Sequence, residues 1–221
     1  MNIIERFLAF ALLGATWVLW LLVGLSVLSV TFMIERFRFY FSTRIDVGKV
    51  ADALAKAMRH GGVEEAKKVM AAERCVVESV VVNAGLDHID EGPHAVEAAM
   101  EAARAIQKPV LERNLAFLGT IGNNAPFIGL LGTVIGIVKA FHALSRDTQG
   151  GASAVMYEIS EALVATAIGL FVALPAVAAF NYFRTRVKLV NGNIDGLMQV
   201  VLAWARGTSR TKAAATAEET D

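Results

Sequence analysis

The residues able to do chemistry in the apolar parts of this 221-residue chain are few. Thr133 and Thr166 come first, because each sits on a helical face with almost no side-chain bulk. Positions 122, 126, 129, 133, 136 and 140 read Gly, Pro, Gly, Thr, Gly and Ala. Positions 162, 166, 169, 173 and 176 read Ala, Thr, Gly, Ala and Ala. Gly132 forms a Gly-x-x-x-Gly pair with Gly136, and Pro175 lies inside the second stretch and frees a backbone carbonyl. Small residues let helix backbones approach closely in lipid. A threonine hydroxyl both donates and accepts hydrogen bonds. Two readings stay open. Gly122, Gly129, Gly132, Gly136, Ala162, Gly169, Ala173 and Pro175 pack helices and flank a narrow hydrated path lined by Thr133 and Thr166. Alternatively they only pack helices, with each threonine bonded back to its own backbone.

Glu161 is the third candidate, at the opening of the second small-residue stretch. A carboxylate near membrane depth is costly and marks a functional position by default. There it can take or relay a proton. The ordinary alternative is a helix N-terminal residue favoured by the macrodipole, a description that suits Glu158 better.

Other chemistry finds little footing. No Gly-Lys-Ser/Thr sequence exists, so there is no P-loop for ATP. No Gly-x-Ser-x-Gly elbow or zincin motif appears, and no catalytic carboxylate pair or nucleophile motif supports an intramembrane enzyme. Asp87, His88, Asp90, Glu91 and His94 cluster within eight residues but read as a solvated turn between helices rather than a metal site. Cys75, the single cysteine, rules out an internal disulfide framework and reads as a small packing residue. No metal and no cofactor is expected.

The elements that position these residues follow from composition. The chain is 55% hydrophobic and 19% charged, with a mean hydropathy of +0.51. That is too apolar for an ordinary soluble domain. The 21 Lys and Arg balance 21 Asp and Glu, so no basic field exists to hold nucleic acid. Three stretches lack Asp, Glu, Lys and Arg: residues 7–34, 114–138 and 162–183. Each exceeds the roughly 20 residues a helix needs to cross a bilayer. The expected class is an all-α integral membrane protein with three transmembrane helices and long cytoplasmic helical extensions. The first stretch is longer than required. The expected layout is an interfacial helix over 1–11, spans over 12–34, 114–138 and 162–183, and a cytoplasmic segment over 35–113. A short outer loop over 139–161, a cytoplasmic helix over 184–210 and a disordered tail over 211–221 complete it.

Orientation comes from the basic residues near the span ends. Arg36, Arg38 and Arg44 follow span one, Lys108 and Arg113 precede span two, and Arg184, Arg186 and Lys188 follow span three. The intervening 139–161 segment carries only Lys139 and Arg146. The 35–113 segment and the C-terminus are therefore expected in the cytoplasm and the N-terminus in the periplasm. Within 35–113, Ala and Val recur at helical spacing over 47–58, 63–72 and 76–86. Pro93 suits the first residue of a long helix that runs through Asn114 into span two, kinked or hinged at Pro109.

Two blocks then become recognisable. Phe127-Ile-Gly-Leu-Leu-Gly-Thr-Val-Ile-Gly-Ile-Val-Lys-Ala-Phe141 is followed by Glu158-Ile-Ser-Glu-Ala-Leu-Val-Ala-Thr-Ala-Ile-Gly-Leu-Phe-Val-Ala-Leu-Pro-Ala176. In order and separation they resemble the MotA/TolQ/ExbB proton-channel family, nearest its TolQ/ExbB branch. The resemblance is strong over 115–183 and architectural elsewhere. It implies a homo-oligomeric ring, typically a pentamer, around a single-span ExbD/TolR-like partner that carries a membrane Asp. Protons pass that Asp, and the resulting motion does work on the cell envelope. The resemblance places Thr133 and Thr166 facing the partner's Asp and maps the family's glutamate onto Glu161. This chain has no mid-membrane carboxylate of its own, so the ring alone is expected to leak little. The beginning of the chain fits a Tol-like or gliding-type member better than a long-extension ExbB. Pro109 departs from the family pattern.

Overall fold

A computed structural model describes residues 14–42, 45–72, 76–146 and 151–218. The described residues are all-α: α1 (Thr16–Ser42), α2 (Val47–His60), α3 (Gly62–Ala72), α4 (Val76–Asp87), a 3₁₀ turn (Ile89–Glu91), α5 (Pro93–Glu112), α6 (Leu115–Arg146) and α7 (Gly151–Glu218). No strand occurs among them. The interfacial helix expected over 1–11 and the packing role expected of Cys75 fall outside the described residues.

Three helices are long and apolar enough to cross a membrane, and at most 28% of each apolar window is buried within the chain. Trp20, Val27, Phe127, Leu163, Phe171 and Leu174 stand exposed. Apolar surface on this scale requires lipid or another chain against it.

The helices overrun the charge-free stretches. The 139–161 segment, expected as a loop, is helical up to Arg146 and again from Gly151. The segment expected as a tail continues α7 to Glu218. The physical reason is simple. Charges mark where a helix leaves apolar surroundings, but backbone hydrogen bonding does not stop there. The Ala-rich Lys212–Glu218 stretch also has high helix propensity.

The helix entering span two is not one piece hinged at Pro109. Pro109 lies inside α5, and the break comes later, at Arg113 (φ −51°, ψ 135°) and Asn114 (φ 59°). Asparagine tolerates the left-handed region better than most residues. The Asn114 side-chain amide donates to Glu35 Oε2 at 2.5 Å, which ties this break to α1.

The chain divides into two compact units. The first contains residues up to Arg36 and Asn114–Tyr182. Its core joins Ala15, Val18 and Leu22 of α1 to Ile121, Ala125 and Ile135 of α6 and to Val172, Ala173 and Ala176 of α7. Phe32 of α1 lies 5.7 Å from Phe117 of α6, ring centre to ring centre.

The second unit contains Phe37–Arg113 and the chain from Phe183 onward. Here α2, α3 and α5 carry ordinary amphipathic stripes, whereas α4 is apolar nearly all round and buries Glu78. Leu54, Met70, Val81, Leu86, Met100, Leu197 and Leu202 are all buried. Asp46 caps α2 by accepting from Lys49 N, and the Lys49 ammonium, 3.3 Å from its Oδ2, together with that backbone bond holds the carboxyl below its ordinary value. Gly92 (φ 98°) turns the chain into Pro93, the first residue of α5 as expected from sequence. Gly85 makes room for Met100, since a Cβ there would lie 2.6 Å from Met100 Cγ. Tyr40 donates to Leu111 O at 2.6 Å and stacks 5.7 Å from Phe183. The acidic turn is tied down too: Asp87 pairs with Lys67 at 2.7 Å, and His88 Nδ1 lies 3.1 Å from Ala84 O.

Candidate functional site

The small-residue faces of α6 and α7 are packed against one another. A Cβ on Gly129 would lie 2.8 Å from Ala165 O, and one on Gly169 would lie 2.6 Å from Ala125 O. A Cβ on Gly136 would lie 2.5 Å from Ala162 Cβ, and one on Gly132 would lie 2.7 Å from Ala165 Cβ. Gly122 meets Val177 in the same way, 2.6 Å from its Cγ2. These distances leave no room for a side chain. The helices approach backbone to backbone because the sequence removed everything between them. Gly122, Gly129, Gly132, Gly136, Ala162, Gly169 and Ala173 are all buried in this contact, whereas Pro175 faces outward.

Thr133 and Thr166 sit within this packed contact. Their hydroxyl oxygens hydrogen-bond to each other. Thr133 also reaches Ala162 O at 3.2 Å and Gly129 O at 3.4 Å, and Thr166 reaches Gly129 O at 3.2 Å. Each hydroxyl carries one proton, so the pair has two internal orders. Thr133 can donate to Thr166, which donates to Gly129 O; or Thr166 can donate to Thr133, which donates to Ala162 O. The pair is a short reversible hydrogen-bond chain. Both side chains stay half-buried, so an edge of the pair is open. Neither threonine is confined to its own helix, as the packing-only reading required.

Glu161 is not part of this pair. Its Oε1 accepts from Thr16 Oγ1 at 3.0 Å. Thr166 stands five residues further along, about 7.5 Å in axial rise. The structure also removes the macrodipole explanation for both glutamates. Helix α7 begins at Gly151, so Glu158 and Glu161 lie in its second and third turns, beyond the reach of the end charges. Glu158 pairs instead with Lys139 of α6 at 2.8 Å.

Thr16 and Lys139 were passed over in the sequence reading. Their signal was faint: a hydroxyl inside a long apolar run, and a cation at the edge of a charge-free stretch. Neither position indicates which helix will lie opposite.

Comparison with known proteins gives four consistent findings. A model of the MotA/TolQ/ExbB proton channel family matches residues 73–195. The Tol-Pal system protein TolQ of Pseudomonas aeruginosa is 43% identical over 106 residues, which is 48% of this chain and 45% of that protein. The biopolymer transport protein ExbB of Xanthomonas campestris pv. campestris is 44% identical over 88 residues, 40% of this chain and 35% of that protein. A putative ExbB-like biopolymer transport protein of Synechocystis is 30% identical over 171 residues, 74% of this chain and 79% of that protein. The matches to TolQ and ExbB thus cover less than half the length of those relatives.

Proposed function

This chain belongs to the MotA/TolQ/ExbB proton channel family, and on that premise we propose that it is the ring-forming subunit of a proton-driven, energy-transducing complex. The family and the three apolar helices make it a multi-pass inner-membrane protein. In the proposed arrangement several copies, five in the simplest case, surround a single-span ExbD/TolR-like partner with an Asp in its apolar segment. The N-terminus lies in the periplasm and the C-terminus in the cytoplasm. The complex does mechanical work on the envelope, of the Tol, Ton or gliding kind. The chain acts as a transport subunit, not as an enzyme.

The observation that supports this best is the Thr133–Thr166 pair. It gives the ring a half-exposed, reversible hydrogen-bond chain in otherwise apolar surroundings, where a partner's carboxyl group can exchange protons with it. Glu161 serves separately, nearer the start of α1.

The close glycine packing favours a second reading, a passive oligomeric scaffold. Native mass spectrometry of the tagged complex, isolated in gentle detergent, separates the two. Recovery of a one-span protein with an Asp in its apolar segment upholds the proposal. A homo-oligomer alone leaves the scaffold and withdraws the ion-path roles of Thr133 and Thr166.

A further inference from the structure

We propose that Thr16 is a positioning residue for Glu161, so that α1 supplies a third helix to the proton path. This inference rests on the proposed function, because it gives Glu161 a role in ion movement.

The geometry is specific. Thr16 is the first residue of α1, and its hydroxyl donates to Glu161 Oε1 at 3.0 Å across 145 residues of chain. Among the described residues, Thr16 is the one side chain that hydrogen-bonds to Glu161. One carboxylate oxygen is thereby held, and Glu161 keeps a second oxygen for exchange with water or a mobile group. The placement is also electrostatically favourable. The carboxylate lies beside the first turn of α1, the positive end of that helix's dipole.

A cation lies on the other side of the start of α1. Lys139 of α6 forms an ion pair with Glu158 of α7 at 2.8 Å. Its Nζ lies 3.4 Å from where a Cβ of Gly14 would stand, and Gly14 adopts φ 87°, which favours glycine. The end of α1 therefore sits between a cation on α6 and a carboxylate on α7. Val18, two residues after Thr16, packs fully buried in the core it shares with both helices. Any movement of α1 relative to α7 must break or stretch the Thr16–Glu161 bond. A purely structural clip would need only the apolar contacts that Val18 and Leu22 already make.

The test is proton flux through the complex isolated from its native host with tagged full-length chain and reconstituted in liposomes. Thr16→Val, Thr16→Ser, Glu161→Ala and the double variant Thr16→Val/Glu161→Ala are compared. Oligomer size is checked for each. Thr16→Val is expected to lower flux about threefold to tenfold, the worth of one ordinary side-chain hydrogen bond. Thr16→Ser should restore it, and Thr16→Val should add nothing once Glu161 is gone. Normal flux in Thr16→Val, with flux lost in Glu161→Ala, overturns this inference and leaves the proposed function standing. Normal flux in Glu161→Ala overturns the ion-path role of Glu161 and this inference with it. If Thr16→Val does not assemble, Thr16→Asn decides, since it keeps a donor in a different shape. Retained flux then upholds the inference and lost flux overturns it.

Discussion

Thr133 and Thr166, 33 residues apart in the chain, share a hydrogen bond between their hydroxyl oxygens within the packed contact of α6 and α7. Neither hydroxyl could be there if the faces around it were bulkier. Gly129 supplies both the space and the carbonyl that Thr166 reaches at 3.2 Å.

Thr166→Val and Thr133→Val each keep the size of the side chain and delete the hydroxyl. Each is expected to cut proton flux by at least about tenfold while leaving the oligomer intact. That magnitude corresponds to losing one interaction of about 1.4 kcal/mol in the rate-limiting state. Liposome flux and native mass on the same sample check it. Wild-type flux in both variants would return the pair to a packing role.

Gly169 tests the packing itself. A Cβ there would stand 2.6 Å from Ala125 O and 3.1 Å from Gly129 Cα, both fixed backbone. Gly169→Val should destabilise by about 1–3 kcal/mol, the usual effect of overpacking. Gly24, with nothing within 4 Å of its Cβ position, should accept alanine. Thermal unfolding in detergent should separate the two variants clearly, and equal melting temperatures would contradict the packing assignment.

Glu78 predicts a pH dependence. It is 1% exposed on α4, and burial pushes its carboxyl above the ordinary value of 4.5, opposed by a hydrogen bond from Asn193 Nδ2 at 3.5 Å. A carboxyl with a raised folded-state pKa favours the fold in its neutral form. Its contribution is full below about pH 4.5 and is lost as pH rises through the folded-state pKa. Glu78→Gln keeps the shape and removes the charge. It should melt higher than the native chain at neutral pH, with the difference shrinking to nothing below about pH 4.5. A constant difference across pH would sink the assignment.

Asn114 carries the break between α5 and α6 at φ 59°. Asn114→Val places a β-branched residue in that region and deletes the donor to Glu35, so it should cost about 1–3 kcal/mol. Asn114→Gly keeps the backbone and should recover part of the loss. Comparing the melting temperatures of the two variants separates backbone strain from the lost hydrogen bond.

The sequence by itself determined the class of this protein. Runs free of charge of 22 residues or more can only be satisfied as helices in lipid, and that follows from composition. The small-residue faces were also legible, because helical periodicity reports which side of a helix lacks bulk. Pro93 as a helix start was readable from local chemistry. The tertiary structure decided what stands opposite each face. Periodicity could not tell that Thr133 meets Thr166 while Glu161, five residues from Thr166, turns to Thr16 on α1. Nor could it move the helix break from Pro109 to Asn114, where the contact with Glu35 is made 79 residues away in sequence. Local patterns fix the shape of each helix, but a partner is chosen by packing between segments distant in the chain.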